Sequence, residues 1–200
     1  MLDVTIFPII IISSPRTGST PLAYELKNKY NIELFNEPLN KTTGGKYVIE
    51  EQNKFLSFIK DNNSYILKLH INDLHKYPSD VLKIIENHQC TLVRIRRRDI
   101  VSQITSLYIE TRRDVWGYFK EFISTEKITQ FTNSDIPITI DLVRCIKNIN
   151  NINEQLNNSS YNFDIDVWYE DLSFIDQSFI TTPKPKNYNL IQEKVRNLLE

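Results

Sequence analysis

Cysteine is scarce in this chain: Cys90 and Cys145 are the two among 200 residues, and they allow one bridge at most. Neither has a His or Cys partner at zinc-ligand spacing, so a disulfide framework and a structural zinc site are not expected. Both thiols read as reduced core residues, which fits a soluble cytoplasmic protein. No apolar run approaches the ~18 residues of a membrane-spanning helix. The run from Ile6 to Ile12 is short, follows Asp3 and lacks a basic leader and a small-residue cleavage site, so it is not read as a signal peptide. Excess charge is absent too. A net charge of −1 does not suit a general nucleic-acid or membrane-surface binder.

What is present is an ordinary core: hydrophobic residues make up 40% of the chain, enough for one domain over residues 1–200 without staples. The β-branched stretch Val4 to Ser13 predicts a strand buried on both faces, irregular at its entry because of Pro8. Further strands are predicted at Ile32 to Phe35, Tyr65 to Ile71, Cys90 to Ile95 and Phe163 to Trp168. Helical spacing marks the stretch after Thr20, Val48 to Ile59, Val81 to Glu86, Asp99 to about Phe122, Ile140 to about Leu156, and Tyr188 to Leu199. Thr125 to Pro137 reads as a polar connection, and Thr182 to Lys186 as a loop. Strands alternating with helices predict an α/β, P-loop-like three-layer domain with a mainly parallel central sheet flanked by helices. No repeat and no internal boundary is visible.

Positive charge is local. Arg94, Arg96, Arg97 and Arg98 cluster at the end of the fourth strand, and Arg112 and Arg113 follow, a pattern suited to a small anionic ligand or to a solvated basic face. The first strand runs into Ser14-Pro15-Arg16-Thr17-Gly18-Ser19-Thr20, with Pro21 in the first turn of a helix. Such a turn points the unpaired amides of Thr17, Gly18, Ser19 and Thr20 outward as an anion site, with the Ser19 and Thr20 hydroxyls beside them. It is not a Walker A loop, because the cation, Arg16, precedes the glycine and no Lys-Ser/Thr follows it. A fixed arginine beside a leaving phosphate takes the place that kinases give to magnesium, so no metal is expected.

The loop from Ser14 to Thr20 resembles the 5′-phosphosulfate loop of sulfotransferases that use 3′-phosphoadenosine 5′-phosphosulfate (PAPS). Arg98 to Ser106, an arginine with a serine eight residues on, is similar to that family's 3′-phosphate motif. The Arg-Arg-Asp version with an intervening Gln103 resembles relatives of bacterial trehalose 2-sulfotransferase. Asn36-Glu37-Pro38-Leu39 looks like the Glu-Pro segment of carbohydrate sulfotransferases, and Trp168 to Leu172 like the Tyr-Glu-Asp-Leu after their last core strand. The nucleotide-clamping loop of the family has no clear match, and only the Pro183–Tyr188 segment occupies its place. The chain is also short for its acceptor region, so a second subunit, as in a homodimer, is one way to complete it.

The resemblance implies sulfuryl transfer from PAPS to the hydroxyl of a carbohydrate or other small acceptor, releasing 3′-phosphoadenosine 5′-phosphate (PAP). Pro15, Arg16, Thr17, Gly18, Ser19 and Thr20 then hold the phosphosulfate, and Arg98 and Ser106 the 3′-phosphate. Arg16 stabilises the leaving group. Glu37 is the first choice of base and His70 the alternative. Lys68 and Trp116, with Tyr118 nearby, are candidates for the sulfate and acceptor wall, and Lys184, Lys186 and Tyr188 for closure over the nucleotide. Two rival readings stand beside this one: a divergent P-loop kinase for a nucleotide or small molecule, and a non-catalytic phosphonucleotide-binding module.

Overall fold

Isoleucine fills the middle of the sheet. Ile9 to Ile12 are fully buried in strand β1 (Ile9–Ser13), and successive side chains point to opposite faces. The computed structural model describes residues 4–39, 46–112, 125–172 and 184–200. It divides into two compact units, Met1–Arg98 with Ile152–Ile175, and Asp99–Asn151 with Asp176–Glu200.

The first unit is built on helix α1 (Ser19–Tyr30), β2 (Glu33–Asn36), α2 (Lys46–Asp61), β3 (Tyr65–His70), α3 (Ser79–Glu86), β4 (Thr91–Arg96) and β5 (Ile165–Trp168). Short 3₁₀ segments follow β3 at Ile71–Lys76 and β5 at Tyr169–Asp171. The strands form one sheet in the order β2-β3-β1-β4-β5, every pair parallel. Ile10, Ile12, Leu67, Leu69 and Leu92 pack on one face with Phe55 of α2, Val81 and Ile85 of α3, and Ile152 and Leu156. Ile9, Ile11, Ile66, Val93, Ile95 and Val167 pack on the other with Leu22, Ala23 and Leu26 of α1. This is the expected α/β arrangement, with a parallel sheet flanked by helices.

Strand β1 begins at Ile9 and not at Val4. Pro8 has no N–H to give a ladder, and its carbonyl accepts from Thr91 N at 2.9 Å. Upstream of it, Val4 N donates to the Tyr30 hydroxyl at 2.7 Å instead of to a strand.

The second unit contains α4 (Ile100–Thr111), α5 (Thr125–Thr132), α6 (Asp141–Asn157, whose last turns lie in the first unit) and α7 (Tyr188–Leu199). Ile104, Tyr108 and Ile109 of α4 pack with Phe131, with Leu142 and Ile149 of α6, and with Ile191 and Val195 of α7. Asp99 caps α4 by accepting from Ser102 N at 2.9 Å. Two expectations are corrected here. Thr125–Thr132 is a helix and not a polar connection, seated by the buried Phe131. Helix α4 ends at Thr111, where Arg112 turns to bond the Tyr108 hydroxyl and Asp141. Residues 113–122 of the longer predicted helix lie outside the described residues. Cys90 and Cys145 are free and buried, and burial pushes the Cys90 thiol up to about 11. Among the described residues no helix is long and apolar enough to cross a membrane.

Candidate functional site

Parallel strands that end together put their next residues side by side. Ser13, the last residue of β1, is in register with His70 of β3 and with Ile95 of β4, and Asn36 of β2 with Lys68. Alternation then decides the faces. Lys68 and His70 follow Ile66 onto the α1 face, as Arg97 follows Val93 and Ile95, and Tyr169 follows Val167. The loop from Ser14 to Gly18 leaves β1 on this edge of the sheet.

The loop is held by its own hydroxyls. Thr17 Oγ1 donates to the Ser14 carbonyl at 3.0 Å, and Ser14 Oγ donates to Asn153 Oδ1 at 2.5 Å. Gly18 sits before α1 with φ 79°, and a Cβ there would lie 2.2 Å from Tyr169 Cδ2. Glycine is thus required twice, for its backbone and for its missing side chain. Arg16 has φ 64°, a conformation that costs an L-residue about 1–2 kcal/mol. The Ser19 hydroxyl, expected to face a ligand, is instead buried and accepts from Ser13 Oγ at 3.0 Å. That bond helps to close the strand-to-helix turn.

Glu37 extends the β2 ladder by one residue, its N–H donating to the Lys68 carbonyl at 2.8 Å. It then turns at φ 53°, and Oε1 accepts from Lys68 Nζ. Lys68 is almost wholly buried, its side chain 3% exposed against 21% for Glu37. Burial lowers the Lys68 ammonium, and the Glu37 carboxylate opposes that fall.

His70 Nε2 lies 3.2 Å from Lys68 Nζ and 3.3 Å from Glu37 Oε1. Burial first, then the Lys68 charge, pull His70 down to about 4, so it is neutral at pH 7. Nε2 thus faces both groups: unprotonated it accepts from Lys68, and protonated it donates to Glu37.

Two more cations complete the cluster. Burial, and next the charge of Arg97, lower Arg16, while Glu37 and Tyr169 raise it. Arg97 donates from Nη1 to the Arg16 carbonyl at 3.2 Å, and its guanidinium lies 4.8 Å from the Tyr169 ring centroid. Its Nε is buried without a hydrogen-bond partner. Nearby Asp73 pairs with Lys76. Among the described residues the cluster brings Arg16, Lys68 and Arg97 close to Glu37.

Sequence reasoning had not assigned Arg97 or Tyr169 a role. Counting in twos from Ile95 and Val167 is the signal that would have found them.

Of the other expected residues, Arg98 belongs to the first unit, and Ser106, Lys184, Lys186 and Tyr188 to the second. Arg98 is half-exposed and makes a bidentate pair with Asp171, at 2.6 and 2.8 Å. In the second unit, Ser106 is half-buried on α4, and Gln103 on the same helix is fully buried. Lys184 Nζ lies 5.0 Å from the Tyr188 ring centroid, Lys186 N donates to the Ser134 carbonyl at 2.9 Å, and Gln192 Nε2 reaches the Tyr188 hydroxyl at 3.3 Å. Trp116, Tyr118, Arg113 and Pro183 lie outside the described residues. No protein-family model and no curated protein matches the chain.

Proposed function

We propose that the protein is a sulfotransferase that moves a sulfuryl group from PAPS to the hydroxyl of a carbohydrate or other small acceptor. One observation carries the reading. Three cations, Arg16, Lys68 and Arg97, and the α1 N-terminus gather at the strand ends around a partly exposed carboxylate, Glu37. An anion site of this kind, built with an acid inside it, suits transfer of an anionic group to a hydroxyl that must lose a proton.

In this reading the Thr17–Thr20 amides and Arg16 hold the phosphosulfate, and Arg16 meets the charge that builds on the leaving phosphate oxygen. Glu37 takes the acceptor's proton as the acceptor oxygen bonds to sulfur and the sulfur–oxygen bond to the phosphate breaks. His70 suits the base role less well, because its Nε2 is already engaged by Lys68 and Glu37 and burial makes it a weak base. Lys68 orients Glu37. Arg97 braces the loop through the Arg16 carbonyl and adds its charge to the cluster. Arg98 is proposed for the 3′-phosphate, and Ser106 enters through the sequence motif alone.

The test is binding, followed by turnover. Calorimetry should show PAP bound about ten-fold more tightly than adenosine monophosphate, since only PAP offers Arg98 a 3′-phosphate for two charge-assisted bonds. Incubation with PAPS, EDTA and a panel of acceptors should release PAP, detected by mass. Equal affinities for the two nucleotides would remove the reading. Turnover that needs ATP and Mg²⁺ would replace it with a kinase, and PAP binding without release from PAPS on any acceptor would replace it with a binding module.

A further inference from the structure

The arginines that do not face α1 form a ladder on β4 and β5. Arg94 stacks on Phe163, with its guanidinium 4.8 Å from the ring centroid, and Arg96 stacks on Trp168 at 4.2 Å. Both are bound to the same carboxylate, Asp166, so their charges are committed to joining the two strands. Arg98 differs. It has a carboxylate to itself, and that pair is the most exposed of the ladder, at 50% for Arg98 and 56% for Asp171.

We infer that Asp171 occupies the guanidinium fork of Arg98 in place of a ligand's 3′-phosphate, and so sets how tightly and how selectively a nucleotide is taken. This rests on the sulfotransferase reading proposed above. Two parallel N–H···O bonds, from Nη1 to Oδ1 and from Nη2 to Oδ2, are the arrangement a phosphate would use on the same fork. Both cannot hold it at once. The dianionic phosphate is the stronger partner, and the exposed carboxylate is weakly held, because water and salt screen it.

Arg98 does not need Asp171 to stay in place. Its guanidinium lies 4.9 Å from the Trp168 ring centroid, and its backbone N–H donates to both oxygens of Glu170 at 3.1 Å. The fork therefore remains presented when Asp171 leaves. A nucleotide without a 3′-phosphate gains nothing by displacing the carboxylate and leaves the pair closed. Asp171 thus weakens binding of the doubly phosphorylated nucleoside alone, and so narrows its advantage over a nucleotide without a 3′-phosphate.

The experiment is calorimetry of PAP and adenosine monophosphate against the full chain, Asp171→Asn, Asp171→Ala and Glu170→Gln. Removing the competitor should tighten PAP binding about three- to five-fold in both Asp171 variants, and change adenosine monophosphate affinity by less than about two-fold. Glu170→Gln makes the same change in charge away from the fork and should not tighten PAP. Weaker or unchanged PAP binding in the Asp171 variants, with wild-type preference for PAP intact, overturns the inference and makes Asp171 a support for Arg98. Equal tightening in Glu170→Gln overturns it as a general charge effect. If the wild type does not prefer PAP, the sulfotransferase reading itself fails and the role of Asp171 falls with it.

Discussion

Lys68–Glu37 and Arg98–Asp171 are both acid–base pairs at the same edge of one sheet, yet they are different physical objects. The first has a cation 3% exposed, the second a cation 50% exposed. A buried ammonium that loses its carboxylate has no water to turn to, so breaking such a pair is strongly destabilising. An exposed guanidinium exchanges its carboxylate for water at little net cost. The comparison teaches that burial, not the kind of residue, decides which charges the fold depends on and which are free to be traded for a ligand.

The sharpest way to break the comparison is at Glu37. Under the proposed function, Glu37→Gln should lower turnover by ~10²–10⁴-fold and leave nucleotide affinity nearly unchanged. Steady-state rates with saturating PAPS, beside those of His70→Asn over a pH range, check this. A dead His70→Asn with an active Glu37→Gln and an unaltered pH profile would move the base to His70. Melting of Glu37→Gln should also fall by several degrees, because Lys68 keeps only a neutral acceptor.

His70 gives the next largest effect. Its folded pKa of about 4 lies below the ordinary imidazole value of 6.5, so the unfolded chain binds its proton first as pH falls. Its contribution is complete above pH 6.5 and is lost between there and about pH 4, up to ~3 kcal/mol. Denaturant melts across pH 4–8 should show a steeper acid loss in wild type than in His70→Gln. Parallel curves would mean that His70 titrates normally.

Gly18→Ala should come third. The left-handed backbone and the Tyr169 ring 2.2 Å from the new Cβ together predict a loss of ~2–3 kcal/mol, or about 5–10 °C in Tm. In a Tyr169→Ala background the clash is gone, so the same substitution should cost less. Additive losses would refute the contact as the cause. Smallest of all, Asp171→Asn should move Tm by no more than about 2 °C, since the pair is exposed. A larger drop would place Arg98–Asp171 with the buried pair after all.

Much of this is legible in the sequence. Four consecutive isoleucines, Ile9 to Ile12, demand cover on both faces, and α1, α2 and α3 supply it. Arg16-Thr17-Gly18 after that strand marked the loop, and Glu37, Lys68 and His70 were already candidates. Their meeting was not legible. It depends on β2 and β3 pairing in parallel with Asn36 beside Lys68, and on Glu37 leaving the strand at φ 53°. Ser19 misled because a hydroxyl in sequence has no direction, and the packed turn aimed it at Ser13. Helix α5 stayed hidden because it is anchored from outside, through Phe131.

The sequence by itself determined the alternation of strands and helices, the loop that follows the first strand, and which residue types stand at the strand ends. These are local matters of periodicity, backbone freedom and spacing. The tertiary structure alone decided which charges share a site. Strand order put β3 and β4 on either side of β1, and the period of two sent Lys68, His70 and Arg97 to the α1 face. Burial then made Lys68 depend on Glu37 and kept His70 neutral, while Arg98 stayed at the surface with Asp171. Strand register joins residues tens of positions apart, and solvent exclusion depends on everything packed around them, so neither can be read from a single stretch of chain.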